Sequence, residues 1–258
     1  MSEHTQESHR PEKSGALHET VEVVKTVVYA LAIALVLRIL LFQPFTIPSA
    51  SMVPNLLEGD YVIVTKYSYG WSRYSIPFGP PLFQGRIFEH APQRGDVVVF
   101  KLPRDNRTDY VKRLIGLPGD RIDVKGGVVY INGKMVRREP LPAVMTDIGY
   151  GITRNVARYR ETLPNGKSYV VNDFGPDGDF DDVGGYIVPE GHYFFMGDNR
   201  DNSLDSRAAQ AVGVGYVPAV NLEGKAQIIL LSWDDASLFK PWTWVTRARP
   251  SRFFHHVS

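Results

Sequence analysis

The chain of 258 residues contains no cysteine. That excludes disulfide cross-links, thiol nucleophiles and Cys-ligated zinc. It has almost no charge excess either. Lys and Arg number 29 against 28 Asp and Glu, a formal net charge of +1. A dedicated nucleic-acid binder usually carries a basic excess, so no nucleic-acid partner is expected. Histidines are few and poorly placed. His4, His9 and His18 lie near one end and His255 and His256 near the other, which leaves His90 and His192 without an HExxH pattern or metal-ligand spacing. No GxSxG segment occurs, which argues against a Ser-His-Asp triad. No metal and no cofactor is expected. Soluble helical patterns are scarce, and no internal repeat is visible.

Hydrophobic residues make up 43% of the chain, which excludes a mostly disordered protein. The length suits one domain, or one domain with a large insertion, able to bury its own core. With Gly 23 and Pro 18, the composition fits a turn-rich β protein.

Residues 1–25 are polar and read as a cytosolic tail, with a helix starting near Glu19. Residues 26–42, TVVYALAIALVLRILLF, carry only Arg38 as a charge. At ~1.5 Å per residue the run covers roughly 25 Å, a little under the ~30 Å hydrocarbon core. A buried core helix and a removable signal peptide are the competing readings. The reading adopted is a retained transmembrane anchor over 26–43. Arg10, Lys13 and Lys25 precede the run, and between Arg38 and Lys66 there is no Lys or Arg. The positive-inside rule then puts the N-terminus in the cytosol and everything after residue 45 outside.

The rest reads as β. DYVIVTKYSY, GDVVVFKL, RIDVKGGVVYINGKMV, RYRETLPNGKSYVV, HYFFMGD and KAQIILLSW are rich in Val, Ile, Tyr and Phe and bounded by turn residues. Asn132-Gly133 and Asn165-Gly166 suit hairpin turns with positive φ. Two stretches leave this pattern. Residues 69–90 are rich in aromatics and proline and suit either an ordinary packed loop or a dip into the lipid surface. Residues 137–187 read as an insertion ending in an acidic loop. There Asp177, Asp179 and Asp181 have EF-hand spacing, but Asp182 and Val188 stand where that loop needs Gly and Glu, so it is read as solvated.

Three polar blocks remain. Pro48-Ser49-Ala50-Ser51-Met52-Val53-Pro54 follows the apolar run, and alone would pass for a small-x-small processing site. Asp109-Tyr110-Val111-Lys112-Arg113 sets a lysine inside an apolar strand, where a solvent-facing charge is the ordinary reading. Residues 197–207, GDNRDNSLDSR, would alone be a charged turn.

Together these blocks resemble the bacterial type I signal peptidases. PSASMVPNL resembles the nucleophile box, RGDVVVFK a following strand box, DYVKRLIGLPGDRI the lysine box and GDNRDNSLDSR the last box. Their order, the preceding span and the GKA strand agree. The resemblance covers roughly residues 27–136 and 186–235. It implies a mostly β fold: one N-terminal transmembrane helix, a β-rich catalytic core over 44–136 and 188–258, and an inserted β subdomain over 137–187. It also implies a Ser/Lys serine endopeptidase that cleaves signal peptides from exported preproteins. Such an enzyme would sit in the bacterial inner membrane with its catalytic domain on the outer face, in contact with the bilayer and near the secretion translocon.

By this resemblance Ser51 is the nucleophile and Lys112 its general base. A serine hydroxyl is weak until a base takes its proton. A free lysine, titrating near ~10.4, is almost fully charged at neutral pH, but burial lowers that value by up to ~3–5 units. The resemblance also gives Ser203 the task of orienting the lysine. Asp198, Asp205 and Arg207 become an ionic frame, with Arg113 as its partner. The Ser51 N–H and the Ser49 hydroxyl form the oxyanion hole. Shallow apolar pockets for small side chains are walled by Phe45, Ile47, Met52, Leu56, Val62, Val99, Asp109, Tyr110 and Val111. Two departures stand out: Ala50 replaces the family's usual Gly, and Ala208-Ala209 stand where an aromatic pair is common. The rival readings are a membrane-tethered, non-enzymatic β-rich binding module, a self-cleaving repressor-type protease, and a secreted protein processed at residues 49–51. The repressor type needs a DNA-binding domain, for which residues 1–25 are too short and acidic.

Overall fold

The computed structural model describes residues 13–76, 79–147, 153–176, 178–234 and 242–257. The chain forms two units, Met1–Arg38 and Ile39–Ser258. The first holds most of helix α1, Lys13–Leu40. Among the described residues, only His18–Leu40, 23 residues, makes a helix long and apolar enough to cross a membrane. Val24, Val28, Leu31 and Leu35 are all exposed, as expected of a helix that is apolar all round and meant for lipid. The helix starts before the expected Glu19, while residues 1–12 of the expected tail lie outside the described residues. It also stops short of residue 43. Pro44 cannot continue a helix and pushes the residue before it toward extended backbone, so Phe42 already pairs with Thr65 in a sheet.

The second unit is mostly β. In chain order its strands are β1 Phe42–Thr46, β2 Asp60–Thr65, β3 Trp71–Ser72, β4 Arg86–Ile87, β5 Val97–Lys101, β6 Asp109–Gly116, β7 Arg121–Lys125, β8 Val128–Ile131, β9 Lys134–Met135, β10 Arg137–Asp147, β11 Thr153–Thr162, β12 Ser168–Asp173, β13 Val183–Ile187, β14 His192–Met196, β15 Val217–Pro218, β16 Leu222–Ser232 and β17 His255–His256. An antiparallel sheet runs β1-β2-β16-β5-β6-β14-β15, with β17 added on β16. Smaller sheets are β13-β7-β8-β9, β10-β11-β12 and the ribbon β3-β4. The Asn132-Gly133 turn has φ of 54° and 77°, as expected. Gly126-Gly127, at 52° and 72°, makes a second such turn that the sequence reading passed over. At Asn165-Gly166 only the glycine takes positive φ, because the hairpin loop is longer and closes through Leu163 N–H to Lys167 O.

Residues 137–187 are divided between two sheets. β10, β11 and β12 pair with one another, whereas β13 joins β7. Leu163, Tyr169 and Val171 then share one apolar cluster with Ile122, Val129, Ile131, Phe194 and Met196. The acidic loop is not simply solvated. Asp181 is buried and accepts the Gly178 N–H, and Asp182 accepts the Gly126 N–H, so the loop is stitched to the β7–β8 turn. Asp177 lies outside the described residues. In 69–90, Tyr69 and Tyr74 are buried, and Arg86 donates to the carbonyls of Tyr69, Gly70, Ala219 and Leu222. Leu82 and Phe88 remain exposed.

Because the insertion and the β7–β9 sheet share one core, Ile122→Ala should remove ~2–5 kcal/mol of stability. It should do so in a single urea transition by circular dichroism. Early, separate loss of the inserted strands would contradict the shared core.

Candidate active site

The turn that carries Ser51 begins at Ser49 in extended backbone and tightens into a 3-10 turn, Ala50–Met52. Ala50 does not take positive φ, so alanine meets no backbone penalty where the family usually has glycine. Met52 and Leu56 are fully buried and pin the turn to the sheet beneath it. Ser51 is presented toward strand β6, where Lys112 stands opposite Val98 of β5.

The Lys112 amine lies 2.5 Å from Ser51 Oγ and 3.0 Å from its neighbour's carbonyl, Val111 O. Only 3% of Lys112 is exposed. Burial pulls its pKa down from the ordinary 10.5 to about 8. Asp205 and Asp198 oppose the shift, and Arg207 assists it. Ser49 Oγ lies 3.4 Å from Ser51 Oγ.

The expected ionic frame is two separate ion pairs. Arg113 grips Asp198 through Nε and Nη2, each at 2.7 Å, and donates to Gly95 O. Arg207 grips Asp205 at 2.9 and 2.8 Å, while the Gly197 N–H donates to the same carboxylate. Burial raises the Asp205 carboxyl, but Arg207 and these N–H donors hold it below its ordinary value.

Ser203 departs from expectation. Its Oγ is buried and makes no hydrogen bond among the described residues, and it does not contact Lys112 as a partner. It packs against Gly197, where an added Cβ would lie 2.2 Å from Ser203 Oγ and 2.6 Å from Ser51 O.

Six of the expected pocket residues, Ile47, Met52, Leu56, Val62, Val99 and Val111, form one apolar cluster, with Phe45 packed on it. All six are buried, Met52, Leu56 and Val62 almost completely, so they lie beneath the surface and do not wall an open pocket. Tyr110 packs on a different cluster, and Asp109 is exposed and paired with Lys101. Tyr110 leaves the cluster because β6 alternates its side chains between faces, whereas Asp109, on the face of Val111, stands at the exposed start of the strand against Lys101.

Several contributors were not foreseen. Asn199 donates its backbone N–H to Ser51 O and its side-chain amide to Ala50 O, each at 3.1 Å. Asn55 donates to Asp198 and to Val170 O, both at 2.7 Å. Both asparagines lie inside the quoted boxes, so their positions were visible and only their roles were missed. Arg252 donates to Asn55 O and to both Asp60 oxygens, from a C-terminal stretch the motifs do not reach.

The family model described as "Signal peptidase, peptidase S26" matches residues 20–233. The chain belongs to this family. A signal peptidase I of Rickettsia typhi is 43% identical over 250 residues, covering 89% of this chain and 90% of the relative. One of Rickettsia canadensis is 40% identical over 263 residues, covering 95% and 96%. A solved signal peptidase I from Enterococcus faecalis is 28% identical, with TM-score 0.30, covering 53% of this chain and 97% of that one. The family assignment leaves the non-enzymatic binding-module reading without support. The second departure from the family pattern also packs without difficulty. Ala208 is buried, its N–H donates to Asp205 O, and the Tyr186 hydroxyl donates to Arg207 O.

Gly197→Ala is expected to displace the Ser51 carbonyl or Ser203. Small misplacements of reacting groups cost up to ~10²-fold, so kcat should fall by about that factor in a folded protein. Full activity in this variant would show that the close packing has no bearing on the placement of Ser51.

Proposed function

We propose that this chain is a membrane-anchored serine endopeptidase that removes signal peptides from exported preproteins, with Ser51 as nucleophile and Lys112 as general base. The observation that carries this reading is the buried Lys112 amine 2.5 Å from Ser51 Oγ. In its neutral form the amine turns its lone pair to the Ser51 hydroxyl and donates one N–H to Val111 O. Its other N–H is left for Ser203 Oγ, the buried hydroxyl that lacks a partner. Ser51 Oγ attacks the scissile carbonyl while its proton passes to Lys112. The resulting oxyanion is met by the Ser51 N–H and the Ser49 hydroxyl. Lys112 then gives its proton to the departing amine. In deacylation the same base takes a proton from water, which attacks the ester and frees Ser51.

Specificity for small side chains one and three residues before the cut would be set against the Ile47–Met52–Val99–Val111 cluster, whose buried side chains leave little depth for a larger one. The basic residues ahead of the apolar helix favour a cytosolic N-terminus and a catalytic unit on the outer face of the inner membrane. Anchoring enzyme and preprotein to one bilayer, near the translocon that delivers the substrate, raises their effective concentration.

The test is incubation of the detergent-solubilised full chain with a preprotein across pH, with mass analysis of the new N-terminus. Cleavage after a small-x-small segment is expected. The Lys112 pKa is lowered, so the base is charged and inert below about 8 and neutral above it; kcat/KM should rise with pH through that value. Lys112→Arg cannot lose its proton and should be inactive at every pH. An active Lys112→Arg enzyme would remove Lys112 as the base.

A further inference from the structure

The inserted sheet reaches the nucleophile through one buried carboxylate and one strand. Glu161, on β11, stands opposite Tyr169 of β12. Both are buried, and both lie in the segment the sequence motifs leave out. Glu161 Oε1 accepts from Arg200 Nη1 at 2.7 Å, and Oε2 accepts from Arg200 Nη2 and, at 2.9 Å, from the Tyr169 hydroxyl. Arg200 is itself 2% exposed. The Tyr169 ring in turn lies 4.0 Å from the Arg113 guanidinium carbon. Strand β12 continues the contact through its backbone. The Asn172 N–H donates to Asp198 O at 2.9 Å, Asn172 bridges Asn199, and Val170 O accepts from Asn55.

The insertion therefore holds both flanks of Ser51. Asn55 follows Ser51 in the chain, and Asn199 grips its carbonyl and that of Ala50. Arg200 is the next residue after Asn199 and its Nε donates to Gly197 O at 3.3 Å, so the fork that holds its guanidinium also anchors the short turn carrying Asn199. A buried ion pair is a poor source of net stability, because apolar replacements often match it. What a bidentate fork supplies is geometric definition.

We propose that Glu161 is a positioning residue for the nucleophile, acting through Arg200 and Asn199, and that the inserted sheet is part of the catalytic apparatus. The inference rests on the Ser51/Lys112 reading above.

The test compares Glu161→Asp and Glu161→Gln with the parent, all as full-length chains in detergent, with folding checked by circular dichroism. Asp keeps the charge but withdraws the carboxylate by one methylene, dragging Arg200 and Asn199 with it. Gln keeps the volume but cannot accept both guanidinium bonds. For the folded variants kcat is expected to fall by ~10–100-fold with KM within about twofold. The acid limb of the pH profile should move up toward the ordinary lysine value, because a loosened loop readmits water to Lys112. Parent-like kcat and acid limb in a folded variant would overturn the proposal. So would failure of both variants to fold, or activity lost only in proportion to unfolded protein, since either assigns Glu161 to stability alone. Lys112→Arg, run in parallel, separates the two levels. If it is active, the dyad reading fails; if it is dead while the Glu161 variants match the parent, only this inference fails.

Discussion

Everything in the catalytic unit is arranged around an amine that must be kept out of water. In the proposed mechanism Lys112 has to be neutral at its working pH while touching Ser51, and burial is the largest cause lowering its pKa from 10.5 to about 8. Such a shift costs about 3 kcal/mol of folding stability at and below that pH. The sign is that of a depressed base: the cost is full below about 8, where both folded and unfolded chains are protonated, and fades as pH rises toward 10.5. Two nearby carboxylates, Asp205 and Asp198, oppose the effect of burial. Each is closed into a pair, Asp205 with Arg207 and Asp198 with Arg113. The surroundings thus stay nearly neutral overall, and desolvation decides the outcome.

The fold meets this demand with rigid elements. Lys112 extends from a central strand with β5 and β14 on either side. The opposing Ser51 sits on a short turn nailed down by Met52 and Leu56 and held from above by Asn199. Gly197 is needed where Ser203 and the Ser51 carbonyl crowd together. Among the described residues, the buried Ser203 hydroxyl makes no hydrogen bond, and in the proposed mechanism it takes the second N–H of the neutral amine.

Much of this was legible in the residues. Strand segments, the apolar helix and the Asn132-Gly133 turn are local features that a period or a turn dipeptide reveals. The Ser51–Lys112 pairing was legible only through the ordered boxes, since nothing local shows that residues 61 positions apart meet at 2.5 Å. What escaped was long-range. The end of the helix was set by Pro44 and the pairing of β1, not by hydropathy. The ionic frame divides into a local pair, Asp205 with Arg207 two residues on, and a long-range one, Arg113 with Asp198, whose meeting no local pattern reveals. Glu161 was invisible for the same reason: its partner Arg200 is 39 residues away, across a hairpin whose role no motif describes.

The central claim, a lysine held neutral by burial beside a serine, is tested most directly by titrating that one amine. Lysine side chains labelled with 13C at Cε can be followed by NMR in the detergent-solubilised chain, with the Lys112 signal assigned by its loss in Lys112→Arg. The account predicts an inflection near pH 8, well separated from the exposed lysines. A Lys112 signal that titrates with the others near the ordinary 10.5 would contradict it.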